Sequence, residues 1–191
     1  MAEVVLFHHV QGLTEGVRRI ADELRAAGHT VHTPDLFDGA TYASIDEGFA
    51  AVQALGSGAS AAWADTVVAS LPQEVVYAGI SLGVMQAQRL AQTRAGARGA
   101  LLLEACVPPA EFGEGWPARV PVQVHGMEQD PFFGLEGDLD AARDLVASVD
   151  HGELYVYPGD VHLFTDSSLP SHDDAATRLV VERALSLLAR V

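Results

Sequence analysis

Six short apolar runs punctuate the 191-residue chain, and longer segments whose apolar residues recur at helical intervals lie between them. Runs of five to eight apolar residues are the length of strands, and strands apolar on both faces belong inside a sheet covered by helices. The alternation therefore predicts an α/β fold: a mostly parallel sheet of about six strands with helices on both faces. The strands are expected in EVVLFHH, HTVHTPDL, EVVYAGIS, GALLLEA, VPVQVHG and ELYVYPG. Helices are expected over 14–27, ending at Gly28, over 136–149 and over 173–190, with Ser171, Asp173 and Asp174 forming a capped, acidic first turn. The helical pattern over 42–71 is broken by Gly56, Ser57 and Gly58, which predicts two helices or one with an irregular middle. The length suits one domain spanning 1–191, with no repeat or linker.

The charge balance narrows the partners. There are 26 acidic residues against 11 basic ones, a formal charge of −15, so phosphate backbones and anionic membrane surfaces are repelled and neither nucleic acid nor membrane is an expected partner. All the basic residues are arginine, which excludes lysine Schiff bases and phosphate-loop lysines. The lone Cys106 cannot form an internal disulfide, and the first residues read as a strand rather than a leader, so a cytoplasmic location is expected. No apolar run approaches the ~20 residues of a membrane helix.

Against this background GISLG, residues 79–83, stands at the carboxyl end of the third strand and opens a helix. A Gly-x-Ser-x-Gly pattern arises by chance roughly 0.1 times in a chain of this composition, and its strand-turn-helix context is that of a nucleophile elbow. Ser81 is the expected nucleophile. A serine hydroxyl needs a base and an orienting acid, and in this fold they follow in the order Ser, acid, His. His162, in PGDVHLF after the last strand, is the expected base. His151 precedes that strand and lies at the opposite edge, and His172 precedes the final helix. Asp130, in HGMEQDPFF after the fifth strand, is the expected acid, its backbone restricted by Pro131; Glu104, which ends the fourth strand, is the rival. His9, Gln11, Glu104, Phe132, Phe133 and Leu163 are candidates to line the substrate pocket. His8 and His9 are adjacent on a strand end and point to opposite faces, so no metal site is expected, and this chemistry needs no cofactor.

With these residues in place, the chain resembles the dienelactone hydrolase family of α/β hydrolases. The resemblance rests on FHHVQGL, TPDLFDG, GISLG, HGMEQDPFF and PGDVHLF, which occur in that order from the first strand to the last helix. It implies a compact α/β-hydrolase sheet and oxyanion donors at the backbone N–H groups of Val10 and Leu82. A donor after the nucleophile and another from the first-strand loop are also what the chemistry asks for. The chain departs from the best-known members at three places. Serine replaces their cysteine nucleophile, His9 stands where they carry a glutamate, and Asp166 where they carry a substrate-gripping arginine.

The expected function is a serine hydrolase that cleaves a small carboxylic ester, lactone or thioester. The alternatives are a ligand-binding protein that has lost catalysis, and a lyase or carbon–carbon bond-forming enzyme using the same triad; the complete Ser, Asp, His set favours the hydrolase. Between Arg25 and Arg89 there is no basic residue, and between Arg98 and Arg143 only Arg119, so the active edge is expected to lack a cation and to favour neutral substrates.

Overall fold

The computed structural model describes residues 1–191. Strands β1 (Glu3–Phe7), β2 (Thr30–His32), β3 (Val76–Ile80), β4 (Gly99–Leu103), β5 (Val122–Met127) and β6 (Gly152–Tyr157) form one sheet in the order β2-β1-β3-β4-β5-β6. Every neighbouring pair is parallel. Helices α1 (Glu15–Ala26), α2 (Ile45–Leu55), α3 (Ala59–Ala69), α4 (Leu82–Thr93), α5 (Asp138–Ala147) and α6 (Asp174–Leu188) alternate with the strands, except that α2 and α3 follow one another.

Successive side chains on a strand point to opposite faces, and each face has its own core. Val4, Leu6, Ala78, Ile80, Leu101 and Leu103 pack under α1 and α6. Val5, Phe7, Tyr77, Ala100, Leu102 and Val124 pack under α3, α4 and α5. Because the chain adds β2 on one side of β1 and β3 on the other, the loops leaving β1 and β3 diverge at their carboxyl ends. That crevice is where open parallel sheets hold ligands.

Three local expectations are revised. The second strand is only three residues long, since Pro34 supplies no ladder donor and disfavours further pairing. The sixth lies at the sheet edge and is half-buried, not covered on both faces. The last helix is capped by Asp173, whose side chain accepts from the Ala176 N–H; Ser171 instead donates to the Leu163 carbonyl. The break in the 42–71 segment is complete, because Gly56 and Gly58 both adopt positive φ and separate α2 from α3.

Candidate active site

Ser81 occupies the one-residue turn between β3 and α4, at φ 49° and ψ −114°. The flanking glycines are there for space. A Cβ on Gly79 would collide with the Gly83 backbone, and one on Gly83 with the Phe7 carbonyl. So the two glycines let α4 cross tightly over β1 and β3, while the turn lifts the serine side chain out of the sheet.

Ser81 Oγ donates to Nε2 of His162 at 2.8 Å, and Nδ1–H of His162 donates to Oδ2 of Asp130 at 2.7 Å. His162 lies in the loop after β6, and Asp130 in the loop after β5. Asp130 is fully buried, and its second oxygen accepts the N–H groups of Phe132 (2.8 Å) and Phe133 (3.3 Å). The turn before Pro131 therefore aims one carboxylate oxygen at its own backbone and leaves the other for the imidazole. Val10 lies in the loop after β1, and its N–H donates to no acceptor in the protein. Leu82 is the first residue of α4, where N–H groups lack intrahelical partners.

Of the residues expected to line a pocket, Phe132 is half-buried with its ring centroid 4.6 Å from that of His162. Phe133 and Leu163 instead belong to the two cores. Gly126 has no side chain, and the Phe133 ring lies over it; Leu163 turns inward at a positive φ of 59°. His9 and Gln11 are also buried, within the first-strand loop. Glu104 is buried behind the site, with Oε1 accepting both the N–H and the hydroxyl of Thr165 and Oε2 unpartnered. Burial raises its carboxyl above the usual range, against the opposing pull of His162 and Thr165. Trp116, although in a loop, sits at the start of β5 with its indole N–H on the Val120 carbonyl.

Three further neighbours carried no sequence signal. Leu36, Trp63 and Gln86 join Leu82 around a narrow cleft beside the elbow. Asp166 pairs with His9 across 157 residues of sequence, at 2.7 Å. Burial disfavours the Asp166 carboxylate, but hydrogen bonds from His9, Ser168 and Thr14 prevail and hold its pKa at about 2. A folded pKa below the unfolded one contributes stability that is present above pH ~4 and is lost as pH falls toward ~2. Urea unfolding of wild type and Asp166→Asn should accordingly differ by on the order of 2 kcal/mol at neutral pH, with the gap closing through that window. A gap independent of pH contradicts this.

The charge distribution is uneven. A groove of about 800 Å³ lies at the amino ends of the strands, where Arg94, Arg98, Arg119, Arg190 and His151 line it. Arg94 is fully engaged there with the carbonyls of Val68, Leu71 and Pro72 and the Tyr77 hydroxyl. Arg18 is exposed on α1, and Arg19 lines a separate small cavity between α1 and α6. Around Ser81 stand Glu104, Asp130 and Asp138, with no arginine hydrogen-bonded to any of them. Cys106 is buried, and burial together with Asp138 pushes its thiol up to about 12, so it supplies no thiolate. No helix is long and apolar enough to cross a membrane.

A parallel six-stranded sheet with helices on both faces and a Gly-Ile-Ser-Leu-Gly elbow after β3 defines an α/β hydrolase. The model of the dienelactone hydrolase family matches residues 1–191, and the chain belongs to that family. It is a hydrolase acting on esters. Among solved structures, a dienelactone hydrolase-like promiscuous phosphotriesterase from metagenomic libraries is similar, with 18% identity, a TM-score of 0.74, and coverage of 100% of this chain and 86% of the other. A thermophilic esterase from the Planctomycetes species Thermogutta terrifontis, with propionate bound, matches at 16% identity and a TM-score of 0.63, covering 99% and 83% of the two chains. No curated protein matches the chain in sequence.

Proposed function

We propose that the chain is a serine hydrolase cleaving a neutral carboxylic ester, lactone or thioester, with Ser81 as nucleophile, His162 as general base and acid, and Asp130 as orienting acid. The observation that carries this reading is the unbroken relay from the Ser81 hydroxyl through His162 to the buried Asp130, each step within 2.8 Å. Ser81 attacks the carbonyl carbon as His162 Nε2 takes its proton, and Asp130 stabilises the imidazolium. The carbonyl oxygen becomes an oxyanion, which the N–H groups of Val10 and Leu82 receive; one such donor contributes roughly 10²–10³ in rate. His162 returns the proton to the leaving alcohol or thiol, and water then repeats the sequence on the acyl-enzyme.

Stoichiometric labelling by a fluorophosphonate tests the assignment. One adduct per chain, located at Ser81, is expected, and an adduct on another serine contradicts it.

The preference for neutral substrates follows from the surrounding charges. A substrate carboxylate would lose its water beside the Asp130 carboxylate with no arginine in contact, and unpaired burial of charge is costly. A neutral aryl ester or lactone should therefore exceed a carboxylate-bearing lactone of similar size in kcat/KM by roughly tenfold or more, a factor that needs only about 1.4 kcal/mol. Kinetics on the two lactones at moderate salt decide it; preference for the anion would reverse the argument and point to Arg18 or Arg19.

A further inference from the structure

Val10 is held by neighbours that have no part in the Ser81 relay. The His9 carbonyl accepts the Gly12 N–H at 3.0 Å and Nδ1–H of His8 at 2.7 Å, closing a tight turn around Val10. The Gln11 N–H donates to Nδ1 of His9 at 3.2 Å. A backbone N–H is only a donor, so Nδ1 carries no proton and the imidazole hydrogen is on Nε2. That Nε2–H donates to Oδ2 of Asp166, and both side chains are fully buried. Asp166 is fixed in turn by the Thr14 hydroxyl and by the N–H and hydroxyl of Ser168. On the other side of the turn α2 leans on Val10 through Gly48, where a Cβ would collide with the Val10 carbonyl.

We propose that His9, locked in one tautomer by Asp166, is a positioning residue that fixes the Val10 N–H for the oxyanion. The inference rests on the reading of Ser81 as nucleophile and Val10 as a donor. Its physical basis is that the peptides on either side of Val10 share that residue's φ and ψ. If the Gln11 N–H loses its acceptor, it becomes a buried unpaired donor, and the turn rotates to satisfy it. The same rotation carries the Val10 N–H away from its aim. Oxyanion donation strengthens only as charge develops, so the loss falls on kcat and leaves KM nearly untouched. Asp166 follows His162 by four residues, so one buried ion-neutral contact joins the loop bearing the base to the loop bearing the donor.

Two substitutions separate positioning from space-filling. His9→Gln places an amide near the Nε2 position but leaves nothing for Gln11. In His9→Asn the side-chain oxygen reaches the N–H two residues on, as in an Asx turn. Active sites are counted with a fluorophosphonate, and rates are expressed per labelled Ser81. Expected is a loss of roughly 10–100-fold in kcat for His9→Gln with KM within about threefold, a parallel weakening of a trifluoromethyl ketone inhibitor, and recovery of most of the loss in His9→Asn. Unchanged kcat per site in His9→Gln, or a loss confined to KM, overturns the inference while leaving the serine hydrolase intact. Failure of wild-type Ser81 to label overturns both. A readout independent of any variant is the ¹⁵N spectrum of the wild-type imidazoles, where His9 should show an unprotonated Nδ1 and a protonated Nε2; the opposite tautomer overturns the inference.

Discussion

Replacing Ser81 by alanine should lower kcat by at least ~10³-fold on any ester the enzyme turns over and abolish fluorophosphonate labelling. The size of the effect follows from what the hydroxyl does. Without it there is no acyl-enzyme, and the remaining oxyanion donors and binding groups can only assist water. Removal of a methyl-sized oxygen from a half-buried turn leaves the cores untouched, so the folded fraction should match the wild type. The sole thiol offers no bypass, because Cys106 is buried and protonated. Activity that survives Ser81→Ala within tenfold would end the assignment.

Asp130→Asn should have the second largest effect, on the order of 10²–10⁴ in kcat. The asparagine amide can present a donor where the imidazole needs an acceptor, which favours the tautomer with the proton on Nε2 and blocks it as a base. Glu104→Gln provides the contrast. Its Oε1 already serves the N–H and hydroxyl of Thr165, a role the amide oxygen can keep, and no hydrogen bond joins it to His162. A loss below about tenfold is expected there. Steady-state kinetics on one neutral ester rank the two, and a larger loss in Glu104→Gln would move the acid to the end of β4.

The contrast between these two carboxylates shows how far the sequence carries. Chain order and strand spacing put both acids on the active edge, but only geometry tells which of them faces the imidazole. Periodicity located all six strands and the main helices: burial on both faces leaves an uninterrupted apolar run in the four central strands, and the partly covered edge strands β2 and β6 are still short apolar segments between helical ones. Where the run leaves the sheet the signal ends. Phe133 and Leu163 lie in loops, and no repeat in the sequence says whether such residues turn toward a ligand or into a core. The strand-turn-helix context of GISLG and the chain order serine, acid, histidine indicated Ser81, Asp130 and His162, the resemblance added Val10 and Leu82, and the chain's membership of the dienelactone hydrolase family is now plain. The His9–Asp166 contact was beyond reach for a different reason. Its partners are 157 residues apart, and although each stands where the chain departs from its family, nothing in the sequence pairs them until the fold brings them together.

The backbone at Ser81 also reverses a rule of protein stability. Exchanging glycine for alanine usually stabilises a folded chain by restricting the unfolded one, but at φ 49° and ψ −114° any side chain is strained. Ser81→Gly should therefore unfold later than Ser81→Ala by about 1 kcal/mol, or roughly 2–4 °C in melting temperature for a chain of this size. Both variants lack the hydroxyl, so the comparison isolates the backbone. Selection for thermal endurance alone would favour glycine at this position. The serine that stands there marks a place where the chain gives up durability to keep a reactive oxygen.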